Sequence, residues 1–200
     1  MTPIQELRKL SVKDLINVGI FTLLYIVVLV VLGQLGALLP LTQVLGPLYI
    51  PFACGIPFML FLTRVKSFGM VSIMGILVGL LLLLTGQSYW GLILSVILGP
   101  AADLVFRAGG YKSWKHTLIG YIVFSEILIA NVFPLFFWRE AWLERLRGRN
   151  KSEDWINQIV AMTPNWMFIG MMVMLAVGAV AGAFLGRALL RKHFERAGIA

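Results

Sequence analysis

One cysteine, two histidines and nine acids are all that 200 residues supply of the side chains that most often bind metals or carry acid–base and thiol chemistry. A single thiol, Cys54, inside an apolar run cannot form an intrachain disulfide or a cysteine-based zinc site, and is expected to be buried and inert. Charge is scarce as well: 13% of the chain, against roughly 25% in soluble domains. With 60% apolar residues, a water-facing surface cannot be built from what remains, and lipid is the expected solvent for much of the chain. There is no G-x-x-x-x-G-K-[ST] loop, no H-E-x-x-H helix and no G-x-S-x-G elbow. ATP binding by a Walker A site is excluded, no catalytic set can be assembled, and the protein is expected not to be an enzyme and to hold no metal or cofactor.

What is present is apolar length. A spanning helix needs about 20 mostly apolar residues, and six runs qualify, at about 15–36, 45–63, 69–86, 89–107, 117–138 and 164–188. The runs are continuous rather than alternating, which excludes barrel strands. The first is too long for a signal peptide and ends in no A-x-A-like site, so it is read as a mature span. The expected fold is all-α: a polytopic membrane protein, one six-helix transmembrane bundle with an amphipathic segment at about 139–163 on the outer side. Within that segment Trp142 and Leu146 are expected to turn toward the bundle.

The formal charge of +8 does not point to nucleic acid, because the cations cluster in the short connections. Arg8, Lys9 and Lys13, then Arg64 and Lys66, then Arg107, Lys112 and Lys115, then Arg187, Arg191, Lys192 and Arg196 all fall on one side. Arg139, Arg145, Arg147, Arg149 and Lys151 fall on the other, offset by Glu140, Glu144, Glu153 and Asp154. The positive-inside rule therefore places both termini in the cytoplasm. Both histidines, His116 and His193, fall on the cytoplasmic side.

Several residues inside the spans carry two readings. Pro47, Pro51 and Pro57 kink the second span or unwind it, and with Tyr49 its outer part is a candidate cavity wall. Gly178, Gly182 and Gly186, and likewise Gly75 and Gly79, form small-residue faces for packing within the chain or for docking another subunit. Asp103 is expected to pair with Arg107 at i,i+4. Glu126, roughly 13 Å into the fifth span, is an intramembrane acid that serves structure or a polar path. At the outer ends stand Gln87, Tyr89, Trp90, Asn131, Trp138, Arg139, Asn165 and Trp166. These form an interfacial belt or, with Tyr49, a mouth where amides fix a ligand, rings stack on it and Arg139 pairs with a carboxylate.

The stretch from Lys13 to Thr22, then Gly55-Ile56-Pro57-Phe58-Met59-Leu60, Phe68-Gly69-Met70 and Gly75-Ile76-Leu77-Val78-Gly79 resemble the Trep_Strep family of bacterial integral membrane proteins. Ala102-Asp103-Leu104, Gly110-Tyr111-Lys112-Ser113-Trp114-Lys115, Thr163-Pro164-Asn165-Trp166-Met167 and the run from Lys192 to Ala200 continue the resemblance in order. Such proteins resemble the substrate-binding S components of energy-coupling factor (ECF) transporters. The resemblance implies a multi-pass subunit of the bacterial plasma membrane that captures a micronutrient, a vitamin-like molecule or a tetrapyrrole such as haem, at its outer face. It would dock on a transmembrane T component driven by two ABC ATPases. Gly19 and Thr22 stand where S components carry the small residues of their first helix, although Leu23 replaces the expected small residue four positions after Gly19. The alternatives are a non-transporting assembly protein and a stand-alone secondary carrier using Glu126.

Overall fold

The computed structural model describes residues 10–86 and 89–196, the last four of these by their backbone. Arg8, Lys9, Gln87 and 197–200 lie outside them. Helix α1, Val12–Gly36, starts where Ser11 Oγ accepts from the Asp14 amide at 3.2 Å and Asp14 Oδ2 accepts from the Ser11 amide at 3.0 Å. This capping box satisfies two amides that a helix start otherwise leaves unbonded. Helix α2, Pro40–Leu62, opens with a proline, whose missing N–H costs nothing in a first turn. Then come α3 (Met70–Leu84), α4 (Trp90–Ala108), α5 (Trp114–Ser125), a 3-10 stretch (Glu126–Asn131), α6 (Phe133–Phe137), α7 (Arg139–Gly148), α8 (Glu153–Met162) and α9 (Met167–Arg196).

Helices α1, α2, α4 and the Met167–Lys192 part of α9 are long and apolar enough to cross a membrane. Helix α3 has 15 residues, about 22 Å of rise, short of a hydrocarbon core of about 30 Å. The continuous helix expected over 117–138 is divided: α5 stops at Ser125 and six residues wind as 3-10 before α6. Pro134 cannot donate to the carbonyl of Ala130, so the α-helical ladder fails from that side. The 3-10 winding rises about 2 Å per residue, and α5 through α6 still reach about 37 Å.

The helices run up and down. At one end, Leu10 lies against Gly69, and Arg187 lies over the Trp114 ring at 4.3 Å, so both described chain ends share that face with the α2–α3 and α4–α5 turns. The opposite end carries the α1–α2 and α3–α4 turns and the α7–α8 pair. The segment over 139–163 holds the short helix expected around Trp142 and Leu146, α7, and a second one, α8, joined to it through Asn150 in the left-handed region at φ 57°. Helix α7 buries Trp142, Leu143 and Leu146, and α8 buries Ile156 and Ile159.

Phe58 centres the core, 4.6 Å from the Tyr121 ring and 4.7 Å from that of Phe124. The tightest packing is α2 on α9. A Cβ at Gly178 would fall within 3 Å of Leu48 O, at Gly182 of Phe52 O and at Gly186 of Gly55 O. Tyr121 donates to the Pro51 carbonyl at 2.6 Å in the same proline-rich stretch. Gly75 meets Gly99, and Gly79 meets Ser95 and Gly91 of α4. The helices approach closely because each glycine puts nothing larger than hydrogen on its own side of the contact.

Asp103 does not pair with Arg107. Its carboxylate turns inward and accepts from the Gly69 and Ser72 amides at 2.8 and 3.0 Å, from the Ser72 hydroxyl at 3.0 Å and from Tyr111 at 3.0 Å. Arg107 lies over the Phe68 ring instead, at 5.8 Å. The buried acid gains four donors by pinning the start of α3 to the end of α4, which an exposed cation could not offer. Burial, and then the Asp103 charge, push the Tyr111 phenol up.

Candidate functional site

Where α1 carries Gly33 and Gly36 and α2 carries Gly46, side-chain volume is missing at the end of the bundle that holds the α1–α2 turn. A cavity of about 330 Å³ opens there, within the range of small-ligand sites. Leu29, Ile50, Leu82, Leu128, Val132 and Leu175 supply its apolar walls. The 3-10 stretch brings Leu128 and Asn131 into the lining, so the break in the fifth apolar segment helps to build the site.

The polar lining is Gln34, Gln43, Tyr49, Thr85, Asn131 and Arg149. The Tyr49 hydroxyl donates to Leu32 O at 3.2 Å, and a Cβ at Gly36 would come to 3.0 Å from it. Thr85 Oγ1 donates to Leu81 O at 2.8 Å. Asn131 Oδ1 is enclosed and has no hydrogen-bond partner among the described residues. A buried acceptor without a donor costs stability, and Asn131 is a lining residue of the cavity. Arg149 is the charged residue of the lining, and no acid lines the cavity among the described residues.

The roof is the α7–α8 connection. Arg149 Nη2 donates to Gly86 O at 3.2 Å, beyond the end of α3, and Lys151 Nζ donates to Ala37 O at the end of α1. Helix C-termini carry the negative end of the backbone dipole, so each cation meets a favourable carbonyl. Lys151 also lies over the Trp155 ring at 4.7 Å, and Arg147 Nε pairs with Glu153 Oε1 at 2.8 Å across the joint.

Of the ligand residues expected from sequence, Tyr49 and Asn131 line the cavity, as does Pro47, whereas Pro51 does not. Trp90 and Trp138 stack on each other at 5.3 Å, and Trp90 lies 5.0 Å from Phe133, in a cluster extended by Phe137 and Phe168. Tyr89 and Asn165 are exposed and Trp166 is 70% exposed, none of them in the lining. Arg139 is spent on backbone, donating to Leu135 O at 3.3 Å and to Thr163 O. Gln87 falls outside the described residues. Glu126 opens the 3-10 stretch with its Oε2 enclosed and unpartnered among the described residues, and it does not line the cavity. Of the docking candidates, Gly75, Gly79, Gly178, Gly182 and Gly186 are covered by neighbouring helices, and Thr22 is buried. Gly19 alone of the seven lies on an exposed face, with nothing within 4 Å of a Cβ placed there.

Sequence reasoning missed Gln34, Gln43, Thr85 and Arg149. The two glutamines are lone amides at the ends of apolar runs. Arg149 belongs to the basic cluster of the acid-bearing connection at 139–163, which charge counting sets apart from the other cations.

Long apolar helices whose outward faces carry Leu15, Ile20, Leu23, Val27 and Val31 define an α-helical integral membrane protein. The chain belongs to the Trep_Strep family of hypothetical bacterial integral membrane proteins, whose family model matches residues 12–196. No curated protein and no solved structure matches it.

Proposed function

We propose that the protein is the membrane-embedded substrate-capture subunit, an S component, of an ECF-type ATP-driven importer in the bacterial plasma membrane. The observation that carries this reading is the cavity of about 330 Å³, edged by Arg149 of the latched α7–α8 connection and lined by three amides, of which Asn131 has an enclosed Oδ1 with no partner among the described residues. The end that holds Lys13, Arg64, Lys66, Arg107, Lys112, Lys115, Arg187, Arg191 and Lys192 faces the cytoplasm, by the positive-inside rule. The cavity then opens outward, and six apolar segments cross the bilayer with both termini inside. Lacking a Walker A loop and a catalytic set, the chain performs no chemistry of its own and takes energy from a T component and two ABC ATPases. The exposed apolar face of α1 around Gly19 is the surface that meets the T component. The walls are largely aliphatic, which favours a compact vitamin-like molecule over a tetrapyrrole.

The Oε2 of Glu126, enclosed and without a partner among the described residues, favours a second reading, a proton-linked carrier. One experiment separates the two: purification from native membranes, followed by uptake in vesicles. Capture predicts that a T component and two ATPases co-purify and that uptake stops when ATP hydrolysis is blocked. Uptake by the chain alone, abolished by Glu126→Gln, contradicts it. A protein that retains no small molecule and moves none is an assembly factor instead.

A further inference from the structure

We infer that the occupant of the cavity is a small organic anion with an apolar body and at least one N–H or O–H donor, its charge held by Arg149 and its donor by Asn131. The inference rests on the capture reading and names its substrate class.

The charge follows from the lining. Arg149 is its charged residue, and the acid nearest in sequence to the roof joint, Glu153, is paired with Arg147. A guanidinium has five N–H donors, and the bond to Gly86 O accounts for one. A carboxylate or phosphate accepts two of the others in parallel, a geometry that a guanidinium favours. A cationic occupant would face Arg149 with no acid in the lining, among the described residues, to offset it.

The donor follows from the acceptors. Asn131 Oδ1 is enclosed and unpartnered among the described residues. The hydroxyls of Thr85 and Tyr49 already give their hydrogens to backbone carbonyls, which leaves their lone pairs for the cavity. Three acceptors that receive no hydrogen from the described residues suit an occupant that supplies hydrogens. The apolar body follows from Leu29, Leu128, Val132 and Leu175, which offer no polar atom. Because Arg149 both lines the cavity and ties the roof to Gly86, an anion reaching it also bears on the roof.

The test uses a matched probe pair, N-acetylleucine and its neutral analogue N-acetylleucinamide, with binding to the full chain in nanodiscs read by calorimetry. The acid is expected to bind at least about tenfold more tightly than the amide. Arg149→Gln should erase the difference, Arg149→Lys should keep part of it, and Asn131→Leu should weaken both probes alike, with unfolding midpoints showing each variant folded. Equal binding of acid and amide, no binding of either, or an unchanged preference in Arg149→Gln overturns the inference. If the purified protein nonetheless retains a neutral or cationic molecule, the capture reading stands and only the substrate class falls. If it retains nothing, both fall.

Discussion

Lys151 Nζ donates to the carbonyl of Ala37, 114 residues away, and thereby closes the α7–α8 joint onto the end of α1. Arg149, two residues earlier, makes the matching bond to Gly86 beyond α3. Two cations and two helix ends make a roof that holds without a disulfide, which a chain with one cysteine could not supply. Lys151→Met keeps the apolar stem over Trp155 and removes the ammonium. The lost bond is worth about 1 kcal/mol at this half-buried position, so local opening of residues 149–163 should rise roughly fivefold. Hydrogen exchange reads this directly, and unchanged exchange in that segment means the latch carries no load.

The two kinds of glycine predict opposite outcomes. At Gly182 a Cβ would meet Phe52 O inside 3 Å, whereas at Gly19 it meets nothing within 4 Å. Gly182→Ala should destabilise the bundle by about 1–3 kcal/mol, the usual range for overpacking. Gly19→Ala should leave stability unchanged or raise it by up to about 1 kcal/mol, since alanine is the better helix former. Thermal unfolding in detergent orders the two variants. Loss of uptake in Gly19→Ala with stability intact supports docking through α1.

Much of the helical architecture is legible in the sequence because apolar length is a one-dimensional signal. The runs behind α1, α2, α4 and α9 are each uninterrupted by more than an isolated polar residue. The break at Glu126 is not legible, since Glu-Ile-Leu-Ile-Ala-Asn contains neither glycine nor proline and Pro134, which interrupts the ladder at Ala130, lies beyond it. The site is less legible still. Its lining is gathered from α1, α2, α3, the 3-10 stretch, the roof and α9, and no local pattern links Gln34 to Arg149. The aromatics at the helix ends are clustered in sequence and therefore conspicuous, yet Trp90 and Trp138 spend their faces on each other. Asp103 illustrates the same limit: i,i+4 spacing proposes Arg107, but four donors from elsewhere in the fold win the carboxylate.

The orientation can be read with thiol labelling. Cys54, the one native thiol, is buried, so the natural chain is a quiet background. Asn157→Cys lies exposed on α8 and Thr63→Cys is exposed at the opposite end. A membrane-impermeant maleimide should label Asn157→Cys in intact cells and Thr63→Cys only after permeabilisation. Labelling of both in intact cells contradicts the six-crossing topology with cytoplasmic ends.

The most direct measurement of the central claim is mass spectrometry of the small molecules that leave the membrane with the purified protein, compared between the natural chain and two variants. Gly33→Leu fills open space in the cavity lining without meeting a neighbour at its Cβ, and Trp166→Ala trims an exposed ring outside that lining. The account predicts one retained compound in the natural chain, kept by Trp166→Ala and lost by at least about tenfold in folded Gly33→Leu, since a filled pocket excludes its occupant. Retention unaffected by Gly33→Leu, or abolished by Trp166→Ala, would contradict it.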